Sequence, residues 1–293
     1  MSAAPKNTLA GSEIVLGPTN YGKSTVRLVK VIRGPDRHDV RDLTVDVTFA
    51  GDFALAYVQG DNSAMLATDT MRNTVYALAP EHLVASIEEF GLILVNHFLS
   101  VAPAANRVEV RLVEYPWSRI EVGGVPHAHS FTRSSGEHVA VVSGTRETQE
   151  VTAGIDNLLI LKTTNSGWEN FLHDQYTTLP DADDRILATM LTATWSYAAT
   201  TNVDFDQLWR GVHDCILTTF TDHYSPSVQH TLYRMGKAVL EAYPAVRKIH
   251  FTLPNKHHLV FNLAPFGLEN NNEIFHVTTD PYGVIEGTVE RRS

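Results

Sequence analysis

From Asp42 to Phe49 the chain alternates strictly. Leu43, Val45, Val47 and Phe49 interleave with Asp42, Thr44, Asp46 and Thr48. A two-residue period sends one set to a buried sheet face and the other to its reverse, so this stretch predicts a half-buried strand. The β-branched segment from Ser24 to Arg33 predicts another strand, closed by Gly34-Pro35. Around residues 80–99 the period lengthens, and Leu83, Ile87, Phe90, Leu94 and Phe98 fall on one helical stripe. Val108, Val110 and Leu112 then alternate again.

The second half follows the same plan. Residues 155–164 and 185–197 read as strands, and 204–220 as a helix with Phe205, Leu208, Trp209, Val212, Cys215, Ile216 and Phe220 on its apolar face. A further helix is expected to begin near Ser225, carrying Val228, Leu232, Met235 and Val239 and stopping before Pro244. Ile249, Phe251 and Leu253 repeat the pattern of Val108, Val110 and Leu112, 141 positions later. The pattern predicts an α+β chain with two sheet-plus-helix units, 13–150 and 151–291, the helices covering one sheet face. Residues 1–12 are expected to be a flexible N-terminus, and the loops at 132–137 and 264–273 to be exposed.

Composition narrows the function. The 293 residues carry 33 acidic against 23 basic side chains, a formal charge of −10, with no Lys/Arg-rich block. Nucleic acid and anionic membranes are therefore not expected partners. An anionic substrate would need individually placed cations. The single cysteine, Cys215, excludes an internal disulfide framework and suits a reducing compartment. No apolar run reaches transmembrane length, the start lacks a secretory signal, and the final V-E-R-R-S is not an S-K-L-type address. Cytoplasm is the expected location.

Gly17-Pro18-Thr19-Asn20-Tyr21-Gly22-Lys23-Ser24 matches the phosphate-loop pattern G-x-x-x-x-G-K-[ST] in full. A working phosphate loop ends at a helix N-terminus, where free N–H groups meet the phosphates. Here Thr25-Val26-Arg27-Leu28-Val29-Lys30-Val31-Ile32 follows, a strand-forming run. Nucleotide hydrolysis stays a rival reading, and a turn leading into a strand fits better.

Several stretches, taken together and in order, carry a different likeness. They are N-Y-G-K at 20–23, A-T-D-T at 67–70 followed by R-N-T-V-Y, L-K-T-T-N-S at 161–166, D-Q-Y-T-T-L…D-R-I-L-A-T at 174–189, S-V-Q-H-T-L-Y at 227–233, and L-P-N-K-H-H at 253–258. P-Y-G-V-I-E near the C-terminus continues the series. With these the chain resembles the urate oxidases along nearly its whole length. The resemblance implies the tunnelling fold (T-fold): two tandem units of antiparallel sheet with helices on one face, assembling into a barrel-like homotetramer with active sites at subunit interfaces. It also implies oxidation of urate by O₂ and water to 5-hydroxyisourate and hydrogen peroxide, without metal, flavin or haem.

The residue chemistry agrees with that expectation. Urate is a planar anion edged by carbonyl oxygens and ring nitrogens, and a guanidinium fork matches such an edge. Arg185 is similar to the family's clamp arginine; the plainer alternative is an exposed salt bridge to Asp183 or Asp184. Gln229 both donates and accepts, and the Val228 N–H adds a donor, unless Gln229 is simply solvated. Trp168 stands where the family usually has phenylalanine, with Phe171 fixing the register. It can stack on the purine, or else be a core tryptophan at a strand end. Lys23 and Thr68 resemble the family's proton-handling dyad, and Thr68 and Asp69 could offer backbone N–H groups to the five-membered ring. The alternatives are a surface lysine and a strand-end cap. If Pro254 ends a strand, Asn255 and His257 point the same way. Asn255 could then hold O₂ or water, and His257 could extend the relay from Thr68. His258 would face away.

His127-Ala128-His129 has same-face spacing on a strand, as in some metal sites, but no third ligand follows from spacing. No metal is expected. A purine-binding protein of the same fold that does not oxidise its ligand is the third reading. The joint presence of Lys23, Thr68 and His257 argues against it.

Overall fold

In the computed structural model, residues 14–278 and 280–292 are described, so the expected flexible stretch at 1–12 lies outside the described residues. The first strands are β1 (Asn20–Arg33) and β2 (His38–Gly51). Leu43, Val45, Val47 and Phe49 are almost wholly buried in β2. Each such side chain contributes about 1.5–3 kcal/mol when buried. A one-residue slip would expose all four, so the alternation itself fixes the register.

A short helix α1 (Ala54–Gln59) leads to α2 (Thr68–His82) and α3 (Ile87–Val101). After these come β3 (Ala105–Glu114), the hairpin β4 (Trp117–Val122) and β5 (Val125–Arg133), and β6 (Glu137–Gly144). The second half runs β7 (Gln149–Lys162), β8 (Leu187–Tyr197), α4 (Phe205–Thr221), α5 (Val228–Ala242) and β9 (Val246–Pro254). It ends with the hairpin β10 (His257–Val260) and β11 (Phe275–Thr278), then β12 (Val284–Glu290).

The main sheet has eight strands in the order β1-β2-β3-β6-β7-β8-β9-β12, every pair antiparallel. Each half thus supplies four adjacent strands and inserts a hairpin between its third and fourth. Helix α2 packs on β1, α3 on β3 and β6, α4 on β7, and α5 on β9 and β12. The core lies between this helical layer and the sheet. On the reverse face polar side chains pair across strands, Thr192 with Asp156 at 2.7 Å and His250 with Thr288 at 2.9 Å.

The two halves also correspond in detail. Ser86 caps α3 by accepting from the Glu89 amide, and Ser227, 141 positions later, caps α5 by accepting from the His230 amide. Each of these helices carries one glycine against the sheet. A Cβ on Gly91 would meet Val142 of β6, and one on Gly236 would meet Val289 of β12, both too close. The missing side chains let each helix settle directly on its unit's last strand.

Three expectations need adjusting. The single helix around 80–99 is two: α2 ends at His82 and α3 starts at Ile87. The strand foreseen from Ser24 begins four residues earlier, at Asn20. Residues 132 and 133 belong to β5, and Gly136 is buried, so the 132–137 segment is not a uniformly exposed loop. The segment 264–273 is exposed apart from a partly covered Asn270. No helix among the described residues is long and apolar enough to cross a membrane.

Candidate active site

The earlier start of β1 decides the phosphate-loop question. Gly22, Lys23 and Ser24 lie inside a strand paired with β2, with no helix N-terminus after them. The motif therefore lacks the converging N–H groups that hold phosphates.

Lys23 sits opposite Val47, just before a register shift in the ladder. The shift is pinned by Thr25, whose backbone is left-handed at φ 57° and whose amide donates to Asp46 Oδ1 at 2.6 Å. Gly22 is obligatory next to it: a Cβ there would lie 1.9 Å from the Val47 carbonyl oxygen. Tyr21 and Lys23 point to the same, partly covered face of β1. The Tyr21 ring packs edge-on against Phe53 and Phe49, and its hydroxyl accepts from the Leu66 amide at 3.0 Å. That bond ties the strand bearing Lys23 to the residues just before α2.

Thr68 is the first residue of α2, not a strand-end cap. Ala67 precedes it and offers no side-chain cap, so the first amides of the helix have no local acceptor. The Asp69 carboxylate is occupied within the helix by Arg72 at 2.7 Å and Asn73 at 3.0 Å. What Thr68 and Asp69 hold out is backbone N–H at the positive end of a helix dipole, suited to an anion.

The second-half residues converge at one end of the sheet. The Arg185 amide donates to the Ser166 carbonyl at 2.8 Å, and Arg185 Nε to the Gly167 carbonyl at 3.2 Å. Gly167 in turn donates to the Ser225 carbonyl at 2.8 Å, two residues before the cap of α5. Trp168 follows directly, paired with Ala182 and stacked on Phe171 at 5.6 Å and 14°. Lys256 donates to the Ala188 carbonyl, and Asn255 is bridged to Thr189 in β8. Trp168, Arg185, Val228 and Asn255 are thereby tied to neighbouring backbone.

Arg185 pairs with no carboxylate among the described residues, contrary to the salt-bridge alternative. Asp184 accepts from Thr164 instead. Burial pulls the Arg185 guanidinium below its ordinary pKa, yet an arginine so shifted remains a cation at neutral pH. A half-buried cation without a counter-ion favours an anionic ligand. Val228 is buried at the start of α5, leaving its amide as a helix-end donor, and Gln229 beside it is exposed. Asn255 Nδ2 lies 3.5 Å from His257 Nδ1, while His258 bonds to the Lys256 carbonyl, so the two histidines diverge as the alternation requires.

Two residue sets stay apart within the chain. Lys23 is on β1 and Arg185 lies two residues before β8, five strands away in the sheet order. At about 4.8 Å per strand this is about 24 Å along the sheet, far more than one purine spans. His127 and His129 stack at 4.6 Å in β5, and no group of three ligand-type side chains suited to a metal occurs among the described residues.

The sequence reading missed the polar groups behind the second-half cluster: Lys162, His223, Ser225 and Thr231. Of these, Lys162 and Thr231 lie within the quoted motifs, but their bonding emerges only in the fold.

A model of the family described as Uricase matches residues 19–141 and 151–286. The uricase of Arthrobacter globiformis is 42% identical over 289 residues, covering 98% of this chain and 94% of that one. The uricase of Dictyostelium discoideum is 41% identical over 275 residues, covering 92% and 96%. The crystal structure of uricase from Arthrobacter globiformis superposes with a TM-score of 0.90 at 41% identity, covering 96% of each chain. With the family model spanning most of both halves and such relatives matching nearly end to end, the chain belongs to the uricase family.

Proposed function

We propose that this protein oxidises urate with O₂ and water to 5-hydroxyisourate and hydrogen peroxide, in urate degradation, without metal, flavin or haem. The observation that carries the reading is Arg185, a half-buried cation with no carboxylate partner among the described residues, bonded to the backbone of Ser166 and Gly167 just before Trp168. Arg185 and Gln229 hold the edge of the urate anion, with the Val228 amide as a further donor, and Trp168 stacks on its plane. The amides of Thr68 and Asp69 meet the five-membered ring. Lys23 and Thr68 remove and relay the proton, which leaves an electron-rich urate for O₂, and His257 extends the relay. Asn255 positions O₂ or water above the ring.

Because Lys23 and Arg185 are five strands apart, each site is completed by a neighbouring copy in a homotetramer. The units joined in each chain are 13–150 and 151–291, a division supported by the four-plus-four strand order and the matched capping serines. Cytoplasm is the proposed location.

The test is to follow urate loss and peroxide release together in dialysed, chelator-treated protein. Urate-dependent peroxide formation is expected. Binding of urate without peroxide, Mg-ATP turnover, or activity restored only by added copper or iron would each overturn the reading.

A further inference from the structure

His223 lies early in the loop after α4 and takes no part in the site described above, yet its ring is bonded at both nitrogens. Nδ1 lies 2.6 Å from the Thr219 carbonyl and must carry the hydrogen. Nε2 lies 2.9 Å from Thr231 Oγ1, and Thr231 Oγ1 lies 2.6 Å from Ser225 Oγ. Burial lowers the His223 pKa, so the ring is neutral at pH 7 and Nε2 accepts from Thr231. Ser225 and Thr231 are almost completely buried. Lys162 Nζ closes the other side by donating to the His223 carbonyl at 2.8 Å, over the Phe220 ring.

The chain of bonds leads to the clamp. The Ser225 amide donates to the Asn165 carbonyl, and the Ser225 carbonyl accepts from Gly167, each at 2.8 Å. These two bonds stitch the strand end before Trp168 to the residues before Ser227, which caps the turn carrying Val228 and Gln229. The Ser225 hydroxyl also reaches the Ser227 carbonyl at 3.0 Å. Without His223 the Thr231 hydroxyl would therefore turn to Ser225 and Ser225 to Ser227, and the loop would lose the one bond that ties this buried pair to the end of α4.

We propose that His223 is a positioning residue for the urate clamp, acting through Thr231 and Ser225 to hold the Trp168 loop against the first turn of α5. The inference rests on the assignment of Trp168, Arg185 and Gln229 to urate. On this proposal the spacing between these groups is set by buried hydrogen bonds that touch no ligand.

The test compares Thr231→Val, His223→Phe, the milder His223→Gln, and Thr231→Ser as the conservative control, all in the full-length assembled protein. Amide hydrogen exchange without ligand reads the stitch directly at Gly167 and Ser225, and steady-state kinetics read its consequence. Thr231→Val and His223→Phe are expected to speed exchange at those amides about tenfold and raise the urate KM about tenfold, with kcat within about threefold. His223→Gln should show a smaller shift, and Thr231→Ser should match the parent. Unchanged exchange at Gly167 and Ser225 in any folded variant lacking the His223–Thr231 bond overturns the proposal. So does a rise spread evenly over all strands in step with a lowered Tm. If the parent protein leaves urate untouched, the assignment of the clamp to urate fails, while the exchange result still decides whether His223 positions the loop.

Discussion

Glu88 and Gln229 occupy the same place in two helices, each the second residue of a helix capped by a serine, 141 positions apart. Their surroundings are opposite. Glu88 is wholly buried and bonded to His138 at 2.9 Å, with Trp209 stacked on that histidine at 4.4 Å. Gln229 is exposed. The first unit has closed the position that the second keeps open, in keeping with the proposed clamp, whose residues all come from the second half.

The matched caps give a first prediction. Ser86→Ala and Ser227→Ala each lose one cap bond and should lower stability by about 1 kcal/mol. Only Ser227→Ala should also raise the urate KM, because only its helix start is proposed to hold ligand. Thermal unfolding and kinetics on the two variants check this; equal KM values would argue that the start of α5 does not contact urate.

Gly22 and Gly17 belong to the same phosphate-loop pattern but differ in surroundings. A Cβ on Gly22 collides with the Val47 carbonyl, whereas one on Gly17 meets nothing within 4 Å. Gly22→Ala should cost about 1–3 kcal/mol and reduce turnover by displacing Lys23. Gly17→Ala should leave Tm and urate turnover unchanged. Loss of activity in Gly17→Ala would return attention to the loop.

Much of this was legible in the sequence, and the failures have physical causes. The strict alternation of Leu43 to Phe49 admits one buried face, so β2 was readable. Helix α2 was missed because its buried stripe is only Met71, Val75 and Ala79, among exposed polar neighbours. Leu83 continues that four-residue spacing and Ile87 follows four later, so the apolar stripe runs in phase through the break. Only the Ser86 cap marks it. The site residues could be nominated from motifs, but the bonds joining residues 162, 223, 225 and 231 arise from tertiary packing and leave no periodic trace.

Binding and chemistry should separate by mutation. Removing the Arg185 fork in Arg185→Ala forfeits two charge-assisted hydrogen bonds, about 3 kcal/mol, and should weaken binding of urate-like inhibitors about 100-fold. Lys23→Ala should bind those inhibitors nearly as the parent does while kcat falls by about 10²–10⁴. Equal losses of inhibitor affinity in both variants would contradict the assigned roles.

The proposed account has Lys23 and Thr68 of one chain serve the Arg185 clamp of another, a reading supported by the five strands between Lys23 and Arg185. Mixed oligomers test it most directly. Lys23→Ala and Arg185→Ala chains, each nearly inactive alone, are unfolded together in equal amounts and refolded. A site drawing its dyad from the Arg185→Ala chain and its clamp from the Lys23→Ala chain contains no substitution. Random assembly should therefore restore about a quarter of the parent activity. If hybrid oligomers form and no activity returns, the site lies within one chain and the shared-site account is wrong.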